Sequence, residues 1–361
     1  KQKGKSDNES ANSSMSVRTG RECFRTLTTP EAVTLVSGAD KVRASVPAGS
    51  KATADMVQTD EAFWTVFSFR FLSGAGFTRA DCDAGLPHAV LSASIARQLF
   101  GTTDVVGHTI QLNYVDYTVT GVVADVSMLA TAAYAQIWVP YTAADAESLS
   151  WRDDTMGPMH AVILAHSSAD FDAIRKETEL LRQKYNDGLR DVEIFYRGQP
   201  DTQLAYLYRR WYAEPDVPGV MLRYGIVIAI LLLVPAVNLS GMTLSRMRRR
   251  MAEIGVRKAF GATGGELMRQ VFFENFVLTL LAGVVGLALS YAATFLLNDF
   301  LFSNSMNAYL SGETALTPGM LLSPWAFIAA FAFCLLMNVL SAGIPAWRAS
   351  RMNITDAINQ R

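Results

Sequence analysis

Three uncharged apolar runs, Tyr224–Ser245, Phe276–Leu297 and Pro324–Ile344, constrain this chain more than any other feature. Each is about 20 residues long, the length an α-helix needs to cross roughly 30 Å of hydrocarbon. A secretory signal is shorter and N-terminal, and a soluble core helix rarely stays uncharged for so long. The runs therefore predict an integral membrane protein with membrane helices at about 224–245, 274–297 and 324–344.

The connections between the runs set the orientation, because cytoplasmic loops near helix ends hold the excess of Lys and Arg. In the loop 246–270 between the first two runs stand Arg246, Arg248, Arg249, Arg250, Arg257, Lys258 and Arg269, offset only by Glu253 and Glu266. The next connection has Asp299 and Glu313 and no basic residue, whereas the tail has Arg348, Arg351 and Arg361 against Asp356. This pattern puts the loop 246–270 and the C-terminus in the cytoplasm and residues 1–222 outside. An outer domain in that position calls for an earlier membrane helix upstream. The expectation is four spans, with the outer domain inserted between the first and second.

Residues 1–222 carry 21 Lys/Arg against 27 Asp/Glu, a net charge of −6. Such a surface offers no electrostatic reason to bind nucleic acid. About 200 residues suffice for a core of their own. Lys1–Ser16 is rich in Ser, Asn and Lys and reads as a flexible lead-in, followed by an outer domain over 17–222. Short β-branched pieces at Val33–Val36 and Lys41–Val46 are separated by turn residues, and Glu61–Phe71 concentrates aromatic side chains suited to a core. Further strands are expected at His88–Ser92, Thr109–Leu112, Tyr117–Val123, Ile137–Val139, Ala161–Ala165 and Val192–Tyr196, with helices at Ser94–Phe100 and Asp170–Tyr185. Strands mixed with a few helices predict one or two α+β lobes. Cys23 and Cys82 would share an oxidising compartment, but two cysteines so far apart leave their pairing open.

Reactive chemistry has little foothold. His88, His108, His160 and His166 lack metal-ligand spacing, no G-x-S-x-G elbow occurs, and Asp81 with Asp83 reads as a turn. Gly4-Lys5-Ser6 lacks the leading Gly of a phosphate-binding loop. The basic loop, by contrast, is punctuated like a folded element. Glu253 and Arg257 are spaced i,i+4, Gly261 suits a left-handed helix end, and Thr263 with Glu266 forms a capping-box pattern. The helix from Thr263 to Leu297 spans about 50 Å at 1.5 Å per residue, so its first turns should project into the cytoplasm as an elbow. Arg246–Arg250 are accounted for by topology and lipid headgroups alone.

EIGVRKAFGATGGELMRQ at Glu253–Gln270 and PAWRASRMN at Pro345–Asn353 resemble the FtsX/MacB-like permease family of ABC transporters. The outer half is similar to that family's periplasmic core domain through FWTVFSFRFLSG (Phe63–Gly74), AVLSASIARQLFG (Ala89–Gly101), VVGHTIQL (Val105–Leu112) and YTVTGVVADV (Tyr117–Val126). The resemblance implies an FtsX-like permease domain over 223–361 and a homo- or heterodimer with a second permease copy, working with cytoplasmic ABC ATPase subunits. A periplasmic adaptor is a further partner, alongside the lipid bilayer. It also implies that Glu253, Gly255, Arg257, Lys258 and Gly261 belong to a coupling helix that contacts the ATPase. The chain itself would then hold no cofactor and catalyse nothing, with ATP used by the partner subunit. One departure is the tail, where the family's Asn-Pro and Ala-Leu are Asn353-Ile354 and Ala357-Ile358. The expected job is mechanical coupling for efflux of drugs or peptides or for lipid or lipoprotein transport. The alternatives are a regulator that activates a cell-wall hydrolase or senses antimicrobial peptides, and a membrane-anchored binding domain without an ATPase.

Overall fold

In the computed structural model, which describes most of residues 2–4, 10–209, 214–234, 256–296 and 325–337, the β-branched pieces of the outer half become strands. Seven of them, β4 (Asp40–Ser45), β5 (Lys51–Thr59), β6 (Phe71–Gly74), β7 (His88–Ser92), β8 (Thr109–Leu112), β9 (Val115–Val123) and β10 (Ile137–Pro140), share one sheet. Its order is β6-β9-β7-β10-β5-β4-β8, and β8 also pairs with β9. Six strands thus close into a ring, with β6 attached beside β9. Ring closure removes the exposed edges that isolated sheets must protect. Inside, Val42, Leu91, Ile110, Val119 and Ile137 pack with Ile95 and Leu99 of α4 (Ala93–Phe100). Ser92 caps α4 through a bond from the Ile95 N–H.

The turn between β8 and β9 shows how local chemistry sets register. Asn113 and Tyr114 both have positive φ, 48° and 71°, which matches the twist of a two-residue hairpin. The Asn113 side-chain oxygen also accepts from the Arg43 N–H at 3.0 Å, tying the turn to β4.

The aromatic set around Glu61–Phe71 packs as a core, as its composition predicts. Phe63, on α2 (Phe63–Val66), is fully buried, and Trp64 meets Phe69, Phe71 and Phe77 at centroid distances of 5.3 to 5.5 Å. Gly76 permits this packing: a Cβ there would lie 2.5 Å from the Trp64 indole. Asp81, in α3 (Arg79–Asp83), forms a capping box with Thr78 and lies 3.6 Å from His88, whereas Asp83 pairs with Arg79 at 3.6 Å, so the two carboxylates have separate partners.

A second cluster of elements surrounds α1 (Val17–Cys23) and α5 (Phe171–Gly188). β3 (Ala32–Ser37) and β11 (Met159–Leu164) pair in antiparallel register from Ala32↔Leu164 to Ser37↔Met159. A buried polar node joins this cluster to the end of β5. Asp60, 1% exposed, accepts from Thr34 Oγ1 at 2.7 Å and from the Leu35 N–H at 3.0 Å. Arg25 lies 3.5 Å from Asp60 and 2.6 Å from Glu61, and donates to the Val33 carbonyl at 2.7 Å.

The lead-in departs from expectation. β1 (Gln2–Gly4) pairs with β12 (Val192–Ile194) and with β2 (Ser10–Ala11), and Gln2 is buried. Sheet pairing uses backbone groups that every non-proline residue carries, so a polar composition does not prevent it. Cys23 and Cys82 are free and buried in separate clusters, the first with Phe24 and Tyr185, the second with Phe63 and Trp138.

After α6 (Gln203–Tyr208), the described residues from Pro215 onward form a separate unit of helices: α7 (Val217–Leu231), α8 (Gly264–Leu296) and α9 (Phe327–Met337). Within α8, Phe272–Ala293 is the one described helix long and apolar enough to cross a membrane, and only 6% of its apolar window is buried. A core helix of a soluble protein would be covered by its own chain. α7 and α9 are shorter apolar helices, and much of the expected spans 224–245 and 324–344 lies outside the described residues.

Candidate functional site

The elbow before α8 is built from three local devices. Val256 and Arg257 are helical, and the Phe260 N–H donates to the Val256 carbonyl at 3.1 Å, closing a helical turn. Gly261 follows with φ +96°, a left-handed conformation that glycine adopts without the steric cost other residues meet. Thr263 then starts α8. Its N–H donates to Glu266 Oε2 at 3.0 Å, while the Glu266 N–H donates to Thr263 Oγ1 at 3.3 Å. This reciprocal box satisfies two amides at a helix start. The bonds from the Thr263 backbone and hydroxyl hold the Glu266 carboxyl below its ordinary pKa, so it stays ionised at the positive end of the helix dipole.

A fourth contact ties the two arms together. Arg257 donates through Nη1 to Gln270 Oε1 at 2.9 Å, bridging the turn before Gly261 to the second turn of α8. Of the residues expected at the partner contact, Arg257 and Gly261 therefore sit in one elbow, while Glu253, Gly255 and Lys258 lie outside the described residues. Val256 and Phe260 are large apolar side chains in this basic segment, and Phe260 is 88% exposed. Their i,i+4 spacing was visible in VRKAF, yet charge rather than apolar spacing drew attention to the segment. With a cation, two apolar side chains and a fixed backbone, the described part of the elbow is chemically suited to docking.

The outer and membrane halves each match a described family. The profile of the MacB-like periplasmic core domain covers residues 2–181, and that of the FtsX-like permease C-terminal region covers residues 225–354. The chain belongs to the FtsX/MacB-like ABC transporter permease family. Among its relatives, the pyoverdine export ATP-binding/permease protein PvdT of Pseudomonas aeruginosa is 26% identical over 82% of this chain and 41% of its own length. The macrolide export ATP-binding/permease protein MacB of Chromobacterium violaceum is 27% identical over 84% of this chain and 43% of its own length. The ABC transporter permease YknZ of Bacillus subtilis, itself uncharacterised, is 24% identical over 90% of this chain and 76% of its own. The chain thus spans about two-fifths of the length of the two export proteins. As a MacB-like permease it is a membrane protein with a large periplasmic α+β domain. The elbow falls inside the FtsX-like match, between its first apolar helix and α8.

Proposed function

We propose that this chain is the transmembrane subunit of an ABC export system, coupling ATP hydrolysis on a separate cytoplasmic ATPase to movement of its periplasmic domain. The observation that carries the reading is the capped elbow of Arg257, Gly261, Thr263 and Glu266 leading straight into α8. α8 has 33 residues, of which 22 form the apolar stretch Phe272–Ala293, so its first two turns extend beyond the hydrocarbon. A helix that continues unbroken from a docking surface through the membrane transmits displacement by rigid-body movement, because every residue is held in one hydrogen-bonded rod.

In this reading Glu253, Gly255, Arg257, Lys258 and Gly261 contact the ATPase, with Val256 and Phe260 seated in an apolar recess. The segment 246–270 and the C-terminus are cytoplasmic, and residues 1–222 are periplasmic. α7 and α9 belong to the two other spans. A second permease copy completes the assembly, and ATP is bound by the partner and not by this chain. The export of pyoverdine by the relative PvdT and of macrolides by the relative MacB supports an export role over a purely regulatory one.

The test is to reconstitute the full permease with its ATPase subunit in liposomes and compare the wild type with Arg257→Glu. Reversing one charge at a docking surface leaves the outer domain untouched, so the variant should fold and insert normally. Its transport-linked ATPase stimulation is expected to fall at least about tenfold, equivalent to about 1.4 kcal/mol of coupling. Unchanged stimulation in the variant would count against the assignment.

A further inference from the structure

The described residues of the elbow from Val256 to Gln270 are all exposed, and a Cβ added at Gly261 or Gly265 would meet nothing within 4 Å. In a buried corner, interlocked side chains fix the angle between two elements. Here that task falls to polar contacts.

Those contacts differ in what they span. The bond from the Phe260 N–H to the Val256 carbonyl closes a turn on the N-terminal side of Gly261. The Thr263–Glu266 box closes one on the C-terminal side. Each stiffens a single arm and leaves the corner free to bend, because neither crosses Gly261. The corner is a glycine at φ +96°, and glycine resists rotation of its backbone less than any other residue. The bond from Arg257 Nη1 to Gln270 Oε1 does cross it, joining residues 13 positions apart. Arg257 makes further contacts, so this bond is one tie among others on its guanidinium.

Placement gives the bond its effect. Gln270 lies about 9 Å along α8 from the first residue, Gly264, at 1.5 Å per residue. Bending at a corner displaces distant points most, so a contact this far out opposes bending better than one beside Gly261. An exposed hydrogen bond adds little to global stability, since water competes for both groups. What the Arg257–Gln270 bond controls is therefore an angle.

We infer that Gln270 is a positioning residue for coupling: through Arg257 it fixes the angle at which the turn Val256–Phe260 meets α8, and so sets how much of the ATPase's displacement reaches the membrane helix. The inference rests on the docking role proposed above and assigns Gln270 no contact with the ATPase. Loss of such a strut alters transmission and leaves attachment in place. A loosened corner absorbs displacement by bending, while Val256, Arg257 and Phe260 remain available to the partner.

The experiment reconstitutes the full permease in liposomes, titrates its ATPase subunit, and records two quantities: the half-saturating ATPase concentration and the maximal transport-linked ATPase stimulation. Gln270→Ala keeps a strong helix former at an exposed position, so the fold is retained, as thermal unfolding in detergent checks. Its maximal stimulation is expected to fall at least about threefold while the half-saturating concentration stays within about twofold of the wild type, the split that separates transmission from binding. Gln270→Glu, which keeps an acceptor oxygen at the same reach, should restore maximal stimulation. In an Arg257→Ala background, where stimulation is already reduced, adding Gln270→Ala should change nothing more, because the two residues act as one unit. If Arg257→Ala leaves both quantities at the wild-type level, the docking role fails and this inference fails with it. The positioning role alone is overturned, with docking intact, if Arg257→Ala acts while Gln270→Ala leaves maximal stimulation unchanged or shifts both quantities by the same factor. It is overturned equally if the two substitutions multiply in the double variant.

Discussion

Single side chains hold the outer domain's clusters together, and two of them make opposing predictions. Asp60 is buried with Arg25, Thr34 and Leu35 around it, and burial pushes its carboxyl above the ordinary range despite the nearby guanidinium. The folded state therefore holds that proton more tightly than the unfolded chain, so Asp60's contribution to stability declines as pH rises through its folded pKa. Asp60→Ala leaves a buried N–H and hydroxyl without their acceptor and Arg25 without one of its two carboxylates. It should cost about 3–5 kcal/mol, read by denaturant or thermal unfolding of the full chain in detergent. Glu177 works in the opposite sense. Partial burial pushes it up, but bonds from Thr28 and Thr29 outweigh this and bring its pKa to about 2. Both bonds from Thr28 measure 2.7 Å, and that from the Thr29 N–H 3.0 Å. Its contribution is complete above the ordinary carboxylate pKa of 4.5 and is lost as pH falls towards about 2. Glu177→Gln should lower the unfolding temperature at pH 7 and flatten its fall between pH 4.5 and 2 relative to the wild type, since Asp60 is common to both. Parallel curves for the two proteins would remove Glu177 from this role.

Elements were legible wherever chemistry is local. The helix expected at Ser94–Phe100 is α4, Ala93–Phe100, ended by Gly101, and the strands expected at Thr109–Leu112 and Tyr117–Val123 meet through a turn at Asn113-Tyr114. Thr263 and Glu266 announced the start of α8, and the two capping bonds are present. Thr263→Ala should cost about 1 kcal/mol at the start of α8 and raise amide exchange at Glu266 about fivefold, with Thr263→Ser restoring protection. Exchange unchanged in the alanine variant would mean that the box does not hold the elbow. β1 and β2 were missed for the converse reason. Their side chains carry no alternating pattern, and what orders Gln2–Gly4 is the edge of β12, nearly the whole outer domain away in sequence. The elbow's apolar pair Val256 and Phe260 was overlooked because a docking surface exposes apolar side chains, whereas a sequence pattern assigns them to a core.

At the scale of the molecule, length and charge revealed a membrane half and an acidic outer half before any contact was known. What they did not reveal is the closure of six strands into a ring, which depends on β8 meeting β4 and β9 at once. Pairings between distant segments leave no trace in local composition. The family matches cover both halves, and in the function proposed for them the outer domain moves because the elbow is moved. That account is tested most directly by placing a photo-crosslinking amino acid at Phe260, and separately at Tyr114 on the β8–β9 turn, in the permease co-expressed with its ATPase. The account predicts an adduct with the ATPase from position 260 and none from position 114. An ATPase adduct from Tyr114, or none from position 260 while the two proteins co-purify, would contradict it.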